Sequence, residues 1–183
     1  MVTAAACGIP TASAPTPIAK GNLPVHLLNP APPATVGSTV PQTVGVPEPI
    51  FLVAPNQHLT ALSRDVPTPP TLTEILGALL EGPTTLEAAN GVQSLLTGTK
   101  TQVSATVAGG IATVNFTANP VQVVGPNQTL AIAQVVFTAT EQPGVTGVVF
   151  QIAGQPTAVP TASGAQDLGP VDRTSYAPQA PTP

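Results

Sequence analysis

The sequence predicts an α+β fold, a two-layer sandwich in which a mostly antiparallel sheet of five to six strands carries two helices on one face. Three observations point there. The prolines divide the chain: ten of the 24 lie in residues 1–49, five in residues 160–183 and nine between, so only the middle can build a core. Within that middle, short apolar runs alternate with polar residues and are punctuated by Gly, Pro and Asn, the pattern of strands. Two longer stretches are bounded instead by helix start and stop signals.

Order is expected to begin at Ile50. Ile50-Phe51-Leu52-Val53 is a short apolar strand, Pro55-Asn56-Gln57 a turn, and His58 to Arg64 a second strand returning beside the first. The first helix follows. Thr71-x-x-Glu74 after Pro69-Pro70 is a capping box, in which a hydroxyl and a carboxylate each satisfy a backbone N–H that the first turn leaves unpaired. Leu72, Ile75, Leu76, Leu79 and Leu80 recur at helical spacing, and Gly82-Pro83 stops the run. That leucine stripe has to cover a sheet.

Residues 102–107 and 111–116 alternate on either side of Gly109-Gly110, which predicts a hairpin with a two-residue loop. Asn127 to Thr140 reads as a second amphipathic helix, started by Asn127 or Thr129 and ended near Pro143-Gly144. Gly147 to Ile152 is a strand with Val148, Phe150 and Ile152 on its buried side. Gly154 then turns the chain, and Thr157 to Val159 adds an edge strand. The element order is ββ-α-ββ-α-β.

The flanks read differently. Residues 8–49 are rich in Pro, Ala and Thr, with only Lys20 and Glu48 charged, and form a disordered tether. As a flexible coil of about 40 residues, such a tether spans roughly 35 Å. Residues 161–183 lack periodic apolar positions and read as a mostly disordered tail, in which Val171-Asp172-Arg173-x-x-Tyr176 is the stretch suited to pack back on the domain.

Charge and composition exclude several functions. The net charge is −4, and the four basic side chains, Lys20, Arg64, Lys100 and Arg173, are too dispersed to neutralise a run of phosphates, so nucleic acid is not a partner. The mean hydropathy of +0.30 comes from scattered Ala, Val and Leu. No apolar run approaches the roughly 20 residues of a spanning helix. The single cysteine forms no internal disulfide framework. It lies in Ala4-Ala5-Ala6-Cys7-Gly8, where small residues before a cysteine resemble the end of a bacterial lipoprotein signal. A longer apolar segment and a charged start normally precede such a site.

Five segments together resemble the GerMN domain family, a bacterial envelope module of sporulation, germination and actinobacterial lipoproteins. They are Leu62-Ser63-Arg64 with Val66; Leu76-x-x-Leu79-Leu80-x-Gly82-Pro83; Val114-Asn115-Phe116; Leu130-x-x-x-Gln134-x-x-x-Thr138; and Pro143-Gly144-Val145-x-x-Val148-x-Phe150-x-x-x-Gly154. The resemblance covers about residues 50–160. Cys7-Gly8-Ile9-Pro10-Thr11 is also similar to the mature start of lipoproteins of this family. The resemblance implies that Cys7 is the lipid attachment site, that residues 1–7 are residual signal and lipobox, and that the start at Met1 is truncated or misassigned. It further implies a domain lipid-anchored to the outer face of the cytoplasmic membrane, since two or three acyl chains anchor stably where one does not.

No catalytic constellation is expected, and the resemblance implies none. His26 falls in the tether and His58 near a turn, so no His pair has metal-ligand spacing; neither a metal nor a cofactor is called for. Glu74 is explained as a cap and Glu81 as a solvated helix end. Arg64, Gln134 and Thr138 are the candidate interaction residues. Arg64 suits a partner contact or an ordinary surface ion pair. Gln134 interrupts an apolar run with Thr138 one turn on, and serves either as an amide presented to a ligand or as a partner for backbone groups. Two functions follow: a module that binds or assembles envelope proteins, or one that binds a small ligand such as a peptidoglycan fragment. The absence of Trp, with the Phe residues at core positions, weighs against sugar stacking.

Overall fold

The computed structural model describes residues 45–182. Cys7, the lipobox and the tether up to residue 44 lie outside the described residues. The fold is α+β, and among the described residues its strands form three hydrogen-bonded groups.

Strands β1 (Val46–Val53) and β2 (Leu59–Val66) pair antiparallel as a hairpin. Strand β1 starts before Ile50 and takes Val46–Pro49 out of the expected tether, because Val46 has a buried partner opposite it in Val66. Its two prolines do not break it. Phe51 and Val53 send their N–H groups away from β2. By the two-residue period of a strand, Pro47 and Pro49 face that same outer edge, where a missing N–H costs no ladder bond.

Helix α1 (Leu72–Glu81) has the expected capping box: Glu74 N donates to Thr71 Oγ1 at 3.3 Å, and Thr71 N donates to Glu74 Oε2 at 3.1 Å. Its buried face, Ile75, Leu76, Leu79 and Leu80, packs on β1, β2 and the next strand, β3. Just after Gly82-Pro83, where no element is expected from the sequence, Thr84 and Glu87 form a second capping box that starts the short helix α2 (Thr85–Ala89). Strands β3 (Val103–Ala108) and β4 (Ile111–Phe116) form the predicted hairpin, closed by Gly109 and Gly110 at φ 58° and 84°, angles that side-chain-bearing residues adopt at a cost.

Helix α3 (Pro126–Thr140) begins at neither Asn127 nor Thr129. Gly125 is its N-cap and Pro126 its first residue, a position whose N–H has no helical acceptor. The helix is not amphipathic, since every residue from Leu130 to Ala139 is buried. It packs on β1, β2, β5, β7, α1 and the C-terminal segment, which together cover it all round. After it, β5 (Gly147–Ile152) lies parallel to β4, and β6 (Gln155–Pro156) folds back antiparallel on β5. The expected edge strand at Thr157 to Val159 is replaced by β7 (Val159–Pro160), which pairs with β8 (Gln166–Asp167) apart from the main sheet.

The mostly disordered tail expected at 161–183 is instead ordered through residue 182. Val171 and Val148 exchange two backbone bonds of 2.8 and 2.9 Å, covering the start of β5. Asp172 accepts from the N–H groups of Thr174 and Ser175 and starts a 3-10 segment (Arg173–Gln179) of two short turns joined by a kink at Tyr176. The Thr174 hydroxyl bonded to its carboxylate lowers the Asp172 pKa. The Arg173 guanidinium lies 5.0 Å from the Phe137 ring centre and donates to Phe137 O and Thr140 Oγ1, at the end of α3 where a cation meets the helix dipole favourably. It also contacts the Glu141 carboxylate. Tyr176 is fully buried, and its hydroxyl donates to Pro160 O at 3.0 Å. Burial, followed by the charge of Asp167, pushes the phenol pKa up. These are the residues of the Val171-Asp172-Arg173-x-x-Tyr176 stretch expected to pack back on the domain; the order of the residues around them is what composition did not reveal.

Candidate functional site

Of the three candidate interaction residues, none is free to meet a partner. Gln134 is 0% exposed, its Oε1 accepting from Leu95 N at 2.9 Å and its Nε2 donating to Phe51 O at 3.2 Å. Thr138, one turn later and equally buried, accepts from Phe51 N at 3.0 Å. Together the two side chains give Phe51 what a neighbouring strand would give, and so close the outer edge of β1. The reading of Gln134 as a partner for backbone groups is the one the geometry fits.

Arg64 does not pair with the adjacent Asp65. It grips Glu87 with two bonds of 2.9 and 2.5 Å and donates to Gly82 O at 3.2 Å, pinning α2 to β2 and to the end of α1. The Arg64 guanidinium holds the Glu87 carboxyl at about 2, below its ordinary 4.5. Glu81, Glu74 and His58 also have local partners. Glu81 meets Lys100 at 3.3 Å on the surface, Glu74 caps α1, and His58 Nδ1 lies 3.2 Å from Ala180 O. Among the described residues no three His, Cys, Asp or Glu side chains gather as a metal site, and no helix is long and apolar enough to cross a membrane.

What stays open lies at the far end of β3. Thr73 Oγ1 accepts from Ala105 N at 2.9 Å and donates to Ala105 O at 3.3 Å, so α1 closes the β3 edge at that point. Val107, two residues on, turns its N–H and C=O to the same side, where no described residue takes them. Its side chain is 47% exposed. Beside it runs an open groove of about 580 Å³, floored by Pro49, Leu72, Val107 and Val145 and rimmed by Glu48 and Glu141. Four elements build it: the start of β1, the start of α1, the end of β3 and the loop after α3.

Charge distinguishes the two rims. Glu141 is held by Arg173, whereas among the described residues Glu48 has the neutral amide of Gln142, at 3.2 Å, and no ion pair. The three cations among the described residues, Arg64, Lys100 and Arg173, are all ion-paired, against eight acids. The sequence reading missed this site because Glu48 was assigned to the tether and Val107 was one more position of an alternating strand.

A second, more enclosed cavity of about 70 Å³ lies near Phe116, Ile132 and Phe150. It is well short of the roughly 300 Å³ at which small-molecule sites begin. All five aromatic rings of the chain, Phe51, Phe116, Phe137, Phe150 and Tyr176, are buried, so none is presented for a sugar to stack on.

Residues 28–158 match the family model described as Germane: sporulation and spore germination. The chain belongs to this family. The backbone of its Germane domain is similar to the tandem GerMN domains of the sporulation protein GerM from Bacillus subtilis. That match has a TM-score of 0.52 and 19% identity, and it covers 70% of this chain and 46% of that one. This chain therefore spans less than half of that tandem structure. A second similar structure is the first GerMN domain of the same protein, with a TM-score of 0.44, 18% identity, and coverage of 60% of this chain and 84% of that one. At these identities the likeness concerns fold. No curated protein matches the chain in sequence.

Proposed function

We propose that this chain is a non-catalytic, membrane-tethered lipoprotein of the cell envelope whose Germane domain is a protein-interaction or assembly module. The observation that carries the reading is the groove at the end of β3, where a backbone edge that no described residue claims, aliphatic side chains and a carboxylate with no ion pair among the described residues meet. Edges of this kind accept extended segments from other proteins. The buried aromatic rings favour this over a peptidoglycan fragment.

In this reading Cys7 carries the lipid and the residues after it form the tether, holding the domain at the outer face of the cytoplasmic membrane. The support is Ala4-Ala5-Ala6-Cys7-Gly8 and its likeness to lipoprotein starts. Metabolic labelling with an alkyne fatty acid is expected to mark the protein and to fail with Cys7→Ser; labelling that survives the substitution overturns the anchor.

The interaction role is tested by a photo-cross-linker placed in intact envelopes at Val107, with Leu86, Val124 and Leu168 as other exposed aliphatic positions. A defined protein adduct from Val107 and none from the others is expected. Saturable binding of purified muropeptides, with no protein adduct from any position, would establish the small-ligand reading instead.

A further inference from the structure

The groove also specifies the kind of segment it takes, an inference that rests on the interaction reading above. The outward N–H and C=O of Val107 offer one donor and one acceptor on the same side, enough for a single antiparallel or parallel bridge to an extended chain. Thr73 blocks continuation of that bridge toward Ala105, so the docked stretch is short. Leu72 and Val145 line the groove together with Val107 and supply apolar surface for an aliphatic side chain. Among the described residues Glu48 has no cation partner, since the three described cations are paired elsewhere.

We propose that the groove receives a short extended segment of a partner protein, bridged to the backbone of Val107, with an aliphatic side chain between Leu72 and Val145 and a Lys or Arg beside Glu48. The excess of acids on the domain steers such a segment during encounter, an effect that weakens as salt is added.

The probe is the blocked pentapeptide Lys-Val-Lys-Val-Lys, titrated into the full chain while backbone and methyl resonances are followed. Saturable shifts confined to Leu72, Val107, Val145 and their neighbours are expected. The peptide Glu-Val-Glu-Val-Glu is expected to bind about tenfold or more weakly, through like-charge repulsion. Val107→Pro removes the outward N–H at a place where an edge strand tolerates proline, and is expected to abolish the shifts while cross-peaks between β3 and β4 persist. Should that variant lose its fold, Glu48→Gln decides: about a two- to fivefold loss for the lysine peptide is expected, with no change for a Ser-Val-Ser-Val-Ser control.

Equal binding of the acidic peptide, saturation at a different surface, or no saturable binding overturns the proposal. Concentration-dependent shifts at the groove without peptide would do the same, by making a second copy the occupant. Each of these leaves the broader interaction reading intact if the envelope cross-link at Val107 still gives a defined protein. Loss of that adduct at every position ends the broader reading itself.

Discussion

Strands β1 and β3 each present an outer edge with the same backbone chemistry, and the two edges are finished differently. On β1, Pro47 and Pro49 have no N–H to offer, Phe51 is satisfied by Gln134 and Thr138, and Val53 exchanges two 2.9 Å bonds with Gln93. On β3, a single hydroxyl from Thr73 serves Ala105, and Val107 is left over. The difference follows from depth. The β1 edge faces α3 inside the core, where an unpaired backbone group is expensive, whereas the end of β3 reaches past α1 into solvent, where water satisfies it at little cost. Closure is thus spent where burial demands it. What remains open is available for binding.

The sharpest way to break this contrast is Gln134→Leu. It keeps the volume but strands Leu95 N and Phe51 O in the interior, and is expected to cost about 3 kcal/mol in urea unfolding. A loss below 1 kcal/mol would mean that the β1 edge finds other partners. Thr138→Val strands only Phe51 N and is expected to cost about 1.5 kcal/mol by the same measurement.

The ion pair that fixes α2 gives a smaller, pH-dependent effect. Because Arg64 lowers the Glu87 pKa from 4.5 to about 2, the pair stabilises the fold fully above about pH 5 and loses that contribution as pH falls toward 2. Partly exposed, it is expected to contribute about 1 kcal/mol. Acid unfolding of Glu87→Gln, compared with the parent, checks this: the variant should be less stable at pH 7, and the gap should close by pH 2. At the open edge, Val107→Lys is expected to change stability by less than about 0.5 kcal/mol while abolishing saturable binding of the lysine peptide. A large destabilisation there would show that the β3 end is part of the core after all.

Much of this could be read from the sequence where one local rule decided the outcome. The Thr71-x-x-Glu74 box and the leucine stripe define α1, and the Gly109-Gly110 pair defines the β3–β4 hairpin. The same box pattern at Thr84-x-x-Glu87 went unread, because a five-residue helix with no buried residue leaves no apolar stripe to draw attention. Gly125-Pro126 start α3 through backbone geometry, whereas Asn127 and Thr129 only have the right side-chain chemistry. The candidate site was legible least of all. Gln134 and Thr138 stood out as polar residues in an apolar run, but which backbone groups they serve depends on β1, more than 80 residues earlier in the chain. Val107 gains its meaning only from what Thr73 does to its neighbour.

The C-terminal strap has a consequence for how the protein is divided. The family match stops at residue 158, yet Val171, Arg173 and Tyr176 lie beyond it and are bound into the domain at β5, α3 and Pro160. A cut at the family boundary would uncover the flank of α3 and leave the start of β5 without its partner. The stretch matched by the family model therefore stops short of residues bound into the fold, and a fragment ended at that boundary would lack the strap that holds β5 and α3.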